Sequence, residues 1–280
     1  MKIYKLSGAL LTAIVALFSV IFSSCTKEEL VNPPKVTLKT DWTNRTEGID
    51  IPSTYNVILD NKNLTFKTTT NILPELETGT HPVTIYNSAD KVTINGSTAI
   101  VATSDNIVDA QPGWLFYSSL DVVYENDKEN NITAVMQQQI RLLNIEMTIT
   151  DGDVSNIESI TASLSGVANT MDLKANNYSG TGLKVIPVFT QTGSKFKSSV
   201  RLIGLTSAPQ ELTLDVTYKD GNYQQIVSDV SSSLSNFGKD KYIPLTLKGD
   251  AKIFTSVKME MQINAWEIQD EINGKPEIQW

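Results

Sequence analysis

The sequence predicts an all-β protein built from β-sandwiches. Short runs in which apolar and polar residues alternate recur along the chain, and this period of two is that of half-buried strands. Dipeptides that favour tight turns stand between these runs. Apolar residues at helical spacing do not continue for more than about two turns anywhere. Many short strands joined by tight turns are typical of a β-sandwich.

The predicted strands and turns follow the chain in order. In the first strand, residues 36–42, Val36, Leu38, Thr40 and Trp42 alternate with polar residues. Later runs with the same alternation are residues 143–149, 212–218 and 257–263. The predicted turns are Asn95-Gly96, Asp151-Gly152 and Asp220-Gly221. Residues 227–237 are compatible with one short helix and equally with a serine-rich connection.

A charged, asparagine-rich segment at residues 124–133 interrupts the apolar pattern near the middle of the chain. Each side of this segment holds enough predicted strands for a sandwich of about a hundred residues or more. We therefore expect two tandem domains, residues 35–130 and 131–280. One long sandwich is the alternative, because single β domains can exceed about 200 residues.

The first 24 residues have the pattern of a signal peptide. Lys2 and Lys5 precede an uncharged, mostly apolar run of fourteen residues, 9–22, which is short of the about 20 residues that span a bilayer. Residues 21–25, Ile-Phe-Ser-Ser-Cys, resemble a bacterial lipobox, although leucine is commoner where Phe22 stands. That resemblance implies cleavage after residue 24 and attachment of lipid to Cys25. An ordinary secretory signal with a chance cysteine is the alternative.

The segment after Cys25 is predicted to be a lipidated tether, residues 25–34. Residues 26–29, Thr-Lys-Glu-Glu, resemble the signal that follows the lipidated cysteine in surface-exposed lipoproteins of Bacteroidetes. Pro33 and Pro34 stiffen the end of the tether, because proline fixes φ and favours extended backbone. We therefore expect a lipid-anchored protein of the outer membrane, exposed on the cell surface. Several acyl chains on one cysteine anchor a protein stably.

Composition argues against several classes of function. The formal net charge is −8, so neither nucleic acid nor an anionic lipid surface is an expected partner. Cys25 is the only cysteine, and His81, in a predicted turn before Pro82, is the only histidine. The chain therefore offers few of the histidine and cysteine residues from which a catalytic triad or a zinc site is built. Asp151 and Asp153 lack the glycine and glutamate spacing of a calcium loop. We expect a non-enzymatic protein without catalytic, cofactor-binding or metal-binding residues.

Beyond the signal peptide, most of residues 25–268 resembles the fimbrillin-A-associated anchor proteins of Bacteroidales. The segments that carry the resemblance are residues 36–45, 76–87, 136–150, 157–173, 211–221 and 263–268. In the second of these, Gly79, Thr80, Tyr86 and Asn87 match the family's turn and strand, whereas His81 departs from it. The glycine pair that the family often has before its last strand is also missing, since residues 252–254 are Lys-Ile-Phe.

This resemblance implies two tandem transthyretin-like β-sandwich domains of Greek-key topology. It further implies an outer-membrane lipoprotein that serves as anchor or accessory subunit of a fimbria. Its partners would be fimbrial subunits, joined by strand exchange in which one chain adds a strand to another's sheet. The candidate strands are residues 267–280, where Pro276 weakens pairing within the chain's own sheet, and the first strand, residues 36–42. For the first strand, pairing within its own domain is the simpler expectation.

A surface glycan-binding lipoprotein of a polysaccharide utilisation system is the alternative function. Such a protein needs exposed aromatic rings on one face, because sugar rings stack on them. The one cluster that offers them is residues 112–119, with Trp114, Phe116 and Tyr117. Phe116 and Tyr117 are adjacent in a predicted strand, so they point to opposite faces. Core packing explains the cluster more simply.

Overall fold

The structure, a computed structural model, describes residues 35–126, 128–254 and 259–270. Its strands in chain order are β1 Val36–Asp41, β2 Tyr55–Leu59, β3 Lys62–Phe66, β4 Thr70–Ile72, β5 Gly79–Tyr86, β6 Val92–Asn95, β7 Thr98–Val101, β8 Thr103–Ser104, β9 Ile107–Val108, β10 Phe116–Tyr124, β11 Asn130–Val135, β12 Gln137–Gln138, β13 Arg141–Asp151, β14 Ile157–Ala168, β15 Thr170–Asp172, β16 Asn177–Ser179, β17 Leu183–Val185, β18 Thr190–Thr192, β19 Lys195–Leu202, β20 Gly204–Leu205, β21 Glu211–Tyr218, β22 Tyr223–Asp229, β23 Leu245–Phe254 and β24 Glu260–Asp270. A 3₁₀ helix, η1, spans Val154–Asn156. The all-β prediction is confirmed.

Two sheets form the first group of strands. A three-stranded sheet has the order β11-β1-β4, and a five-stranded sheet has the order β12-β10-β5-β2-β3. Their apolar faces share one core, in which the ring of Trp42 lies edge-on to Tyr55 at 5.8 Å and to Phe116 at 5.4 Å. Such edge-to-face contacts add to the stabilisation that burial provides. The alternation in β1 buries Val36 and Leu38 in this core, as the sequence predicts.

Three further sheets surround a second, larger core. Their strand orders are β18-β19-β13-β23-β24, β22-β21-β14-β17-β9-β8 and β16-β15-β7-β6, and β20 pairs with β14 beside the second of them. The predicted alternation holds in β13 and in β21, where every second residue is buried. The predicted turns at Gly96, Gly152 and Gly221 have φ values of 61°, 91° and 84°, which glycine adopts without strain. Residues 231–238 form a run of turns. Of the two structures predicted for residues 227–237, the serine-rich connection and not the helix is therefore the one found there.

A bulge places Trp266 in the second core. Between Gly249 and Ala251 on β23 the register with β24 shifts, so that Trp266 stands opposite Gly249 and Ile263 opposite Ala251. The extra residue on β24 reverses its alternation, and Trp266 is 8% exposed as a result. A Cβ atom on Gly249 would lie 2.8 Å from the Trp266 ring, so this position requires glycine.

The chain passes between the two groups of sheets more than once. Strands β7 and β9 pair with β15 and β17, so residues 98–108 belong to the second group. Strand β11 pairs in parallel with β1, and β12 pairs with β10, so residues 130–138 belong to the first group. The predicted division at 130/131 stays a prediction about independently folding domains. The backbone hydrogen bonds group the strands in another way. Strands β7 and β9, before position 130, pair in the second group, and β11 and β12, at or after it, pair in the first.

Candidate functional site

The residues predicted for membrane attachment lie outside the described part of the chain. These are the signal peptide, residues 1–24, the lipidation residue Cys25 and the remainder of the tether up to residue 34. Residues 271–280 of the candidate donor segment also lie outside it. Within the described residues, no helix is long and apolar enough to cross a membrane.

The two candidate exchange strands are paired within the chain where the structure describes them. Strand β1 lies in the middle of its sheet, antiparallel to β4 and parallel to β11. The simpler expectation for the first strand, pairing within its own predicted domain, holds for β4, whereas β11 lies across the predicted boundary at 130/131. Residues 267–270 are paired with β23 as the end of β24, so the donor candidate narrows to residues 271–280.

Side chains cover part of the outer edge of β24, the last strand of its sheet. The side-chain amide of Gln224 donates to the Met261 carbonyl at 2.9 Å and accepts from the Met261 N–H at 2.6 Å. The Ser233 hydroxyl donates to the Trp266 carbonyl at 3.0 Å. Unpaired backbone groups on an edge strand are a template for pairing with other chains. Gln224 and Ser233 therefore bond to backbone groups of this edge at two residues, Met261 and Trp266.

The aromatic cluster at residues 112–119 packs into the protein. Phe116 is fully buried in the first core, and Tyr117 is buried in the second. Trp114 is half-buried, and the guanidinium of Arg201 lies over its ring at 5.1 Å. The cluster therefore does not form the exposed platform that the glycan-binding alternative needs.

His81 lies on strand β5, and its predicted position in a turn is wrong. Pro82 is tolerated there because the pairing of β5 with β2 covers only residues 83–86. The His81 ring nitrogens lie 2.7 Å from the Glu77 carbonyl oxygen and 2.6 Å from Asp60 Oδ2. The hydrogen bond to Glu77, and then that to Asp60, raise the pKa of His81 above its ordinary value. These contacts join His81 to residues 60 and 77 at the protein surface.

The acidic residues at 151–153 form a turn, as the sequence predicts. Asp151 ends β13, and the Asp153 carboxylate caps η1 by accepting from the Ser155 N–H at 2.8 Å. In the described part of the chain, no three acidic, histidine or cysteine side chains are grouped so that they could hold a metal ion.

The two groups of sheets meet at a buried polar cluster centred on Gln138. Its side-chain oxygen accepts from the Thr46 N–H at 2.8 Å. Its side-chain nitrogen donates to Thr46 Oγ1 at 3.0 Å, to the Ile140 carbonyl at 2.7 Å and to the Lys241 carbonyl at 3.0 Å. Thr46 Oγ1 in turn donates to the Tyr242 carbonyl at 2.8 Å. One glutamine thereby joins a loop of the first group to residues 241–242 of the second. We call this cluster the junction.

Arg141 holds the connection that leads into the junction. Its guanidinium donates to the carbonyls of Ile243 at 2.8 Å, Asn236 at 3.0 Å and Phe237 at 2.8 Å. It also lies over the Phe237 ring at 5.5 Å. A buried arginine that donates to several carbonyls fixes a segment without regular secondary structure, because buried carbonyls need hydrogen-bond partners.

A polar groove of about 570 Å³ opens beside the junction. Gln137, Gln139, Asn44 and Tyr242 line it together with Lys241, which is 8% exposed. We call it the junction groove. Burial lowers the pKa of Lys241 to about 8.

Sequence reasoning did not single out the junction. The available signal is the alternation of Met136, Gln138 and Ile140, which places a glutamine among inward-facing apolar residues at the start of a strand. A buried polar residue in such a run needs hydrogen-bond partners. Thr46 and Lys241 are distant in sequence, so the partners themselves carry no local signature.

The fold resembles solved structures of surface proteins. A candidate adhesin from Bacteroides ovatus matches with a TM-score of 0.62 at 9% identity, covering 86% of this chain and 97% of that chain. The fimbrial anchor protein Mfa2 from Porphyromonas gingivalis matches with a TM-score of 0.54 at 16% identity, covering 85% and 99%. A candidate polysaccharide-binding protein from Bacteroides thetaiotaomicron matches with a TM-score of 0.54 at 10% identity, covering 85% and 98%. At these identities the matches show a shared fold.

No protein with a curated function matches the sequence. The model of one protein family does match, over residues 97–272, which is more than half of the chain. That span contains β13, β14, β21 and β23, which build the second core, and the Gln138–Lys241 contact of the junction. The chain therefore belongs to the family of fimbrillin-A associated anchor proteins Mfa1 and Mfa2.

Proposed function

We propose that this protein is an anchor or accessory subunit of a fimbria. The observation that carries the proposal is membership of the anchor-protein family, which covers most of the second group of sheets. The shared fold with the fimbrial anchor protein of Porphyromonas gingivalis supports it. The proposal treats the protein as non-enzymatic, which the single histidine and the single cysteine of the sequence support.

The proposal includes attachment to the outer membrane through lipid on Cys25. The lipobox-like residues 21–25 and the tether that follows support this placement. We expect Cys25→Ser to abolish labelling with fatty acid and to release the protein from the membrane fraction. Ser24→Ala is the matched control, because it leaves the acceptor sulfur in place, and it should keep its label. Undiminished labelling of Cys25→Ser would refute lipid attachment at this residue.

Contact with fimbrial subunits is proposed to occur by strand exchange through residues 271–280. Deleting these residues leaves β24 and its pairing with β23 complete, so the protein should fold and keep its lipid. Fimbriae on such cells should be poorly retained or abnormal in length. Electron microscopy of the cells, with shed fimbriae counted in the medium, measures this. Normal attachment and length would refute the role of these residues.

Deleting the whole gene distinguishes the anchor function from the glycan-binding alternative. An anchor predicts that cells without it shed their fimbriae and grow normally on polysaccharides. Normal fimbriae together with impaired growth on one polysaccharide would favour the alternative, in line with the description of the Bacteroides thetaiotaomicron protein of similar fold. The buried aromatic cluster at residues 112–119 weighs against it.

A further inference from the structure

The ammonium group of Lys241 is buried with few partners. Its Nζ donates to Gln139 Oε1 at 3.1 Å and lies 3.5 Å from the sulfur of Met171. The ring of Tyr178 lies 5.4 Å away on another side. An ammonium carries three N–H donors, and a thioether is a weak acceptor. Within the described residues, one amide oxygen is thus the single strong acceptor that this charge contacts.

Among the described residues no carboxylate forms an ion pair with that charge, although the neighbouring Asp240 lines the same groove. In the part of the chain that the structure describes, the ion pairs join other residues and none includes Lys241. A buried charge without a counter-charge is unfavourable, because the ammonium loses its hydration and gains too little in return. Desolvation accordingly lowers the pKa of this amine to about 8. Such a site favours any anion that can reach it.

An anion would have to reach this charge through the junction groove. Lys241 lines this groove of about 570 Å³, which is within the range of small-ligand sites. Amides and hydroxyls make up much of the remaining lining, contributed by Asn44, Gln137, Ser118 and Tyr242, and the charged residues Asp240 and Lys174 line it as well. The Gln137 amide nitrogen and the Tyr242 hydroxyl have no protein partner among the described residues. They remain available as hydrogen-bond donors and acceptors.

We propose that the junction groove binds a carboxylated saccharide, whose carboxylate pairs with Lys241 and whose hydroxyl groups bond to the surrounding amides and phenols. The inference goes beyond the anchoring function, since a fimbrial anchor needs no sugar ligand. It also differs from the platform of exposed aromatics, because here the recognition is by charge and hydrogen bonds inside a recess.

The lining favours a sugar acid over an acidic peptide. Peptide segments gain affinity from apolar side chains placed in pockets, as well as from backbone pairing. The side chains of Val135 and Leu173 are the aliphatic ones in the groove, and Leu173 is itself buried in the second core. A ligand with many hydroxyls matches the amide-rich surface better, since each hydroxyl can donate and accept.

The test compares glucuronate with glucose, two sugars that differ in one carboxylate. The full-length protein is purified in a detergent without sugar headgroups, and binding is measured by calorimetry and ligand-observed NMR. We expect glucuronate to bind at least about tenfold more tightly than glucose, because a hydrogen bond to a charged group contributes that much or more. Equal binding of the two sugars, or no binding of glucuronate, would overturn the proposal.

Two lysine variants locate the binding. Lys241→Met removes the buried charge and should weaken glucuronate binding at least about tenfold. Lys174→Met, at the exposed rim of the same groove, should change it less than about threefold. Equal effects of the two changes would overturn the role of Lys241. If Lys241→Met does not fold, the comparison of glucuronate with glucose on the unchanged protein still tests whether the groove recognises the carboxylate.

Two further ligands decide whether the sugar ring matters. Glutarate carries carboxylates and no hydroxyls, so it should bind more weakly than glucuronate. A short glutamate-containing peptide should also bind more weakly. If glutarate or the peptide binds as tightly as glucuronate, the groove recognises the carboxylate alone or a protein partner, and the saccharide assignment is wrong.

Discussion

Replacing Gln138 by methionine should destabilise the protein strongly, because this side chain holds the junction together. Methionine has a similar volume but can neither accept from Thr46 nor donate to the carbonyls of Ile140 and Lys241. A buried donor or acceptor that loses its partner costs about 1–3 kcal/mol. With at least two such groups left unpaired, the free energy of unfolding should fall by about 2–6 kcal/mol.

For a protein of this size, that loss corresponds to a decrease in melting temperature of roughly 5–15 °C. Thermal and urea unfolding followed by circular dichroism measure it. Gln137→Met is the matched control, because Gln137 is exposed and its side chain makes one exposed hydrogen bond, to Asn44 at 3.1 Å. Its effect should stay within about 0.5 kcal/mol. A loss below about 1 kcal/mol for Gln138→Met, or equal losses for the two variants, would refute the reasoning.

Three other outcomes are expected. Gly249→Val should displace the ring of Trp266 and lower the free energy of unfolding by about 1–3 kcal/mol. Tryptophan fluorescence should shift to the red, and an unchanged spectrum would contradict this packing. The His81 imidazole, followed by NMR as the only one in the chain, should titrate above its ordinary pKa, and Asp60→Asn should reduce that upward shift. Because the folded-state pKa is raised, the stabilisation is present below the unfolded-state pKa and disappears as pH rises through the folded-state pKa. Limited proteolysis should cut first at residues 125–129. The fragments should separate if the division at 130/131 is correct, but stay together if the pairing of β11 with β1 and of β12 with β10 holds them across the cut.

Local alternation was enough to predict the strands that dominate the second core. In residues 143–149 and 212–218 the period of two is unbroken, so the inward-facing side chains follow directly from the sequence. The same pattern predicts the inward face of β24 only as far as Ile263. Beyond it the bulge opposite Gly249 reverses the alternation, and nothing local in residues 260–270 specifies where the partner strand accommodates an extra residue.

The grouping of strands depends on long-range pairing, which the sequence pattern does not encode. Residues 98–101 form an ordinary alternating strand that pairs locally with β6, but its other partner is β15, about seventy residues further along the chain. The segment 124–133 has the composition of a linker, and part of it is strand β11 because β1 offers it a parallel partner. The junction shows the same limitation, since the partners of Gln138 come from residues 46 and 241.

The parallel pairing of β1 with β11 has a mechanical consequence for an anchor. Tension applied to the chain before Val36 pulls β1 from its first residue. The second group of sheets pulls from the other side, and once β12 is released from β10 it pulls β11 from its last residue, Val135. Because the strands run in the same direction, these opposite pulls slide one strand along the other. The backbone hydrogen bonds along the six paired positions, from Val36 opposite Asn130 to Asp41 opposite Val135, are then strained together and not one after another. Rupture requires that they fail nearly at once, so this pair of strands should resist a sustained pull better than a hairpin opened from its end.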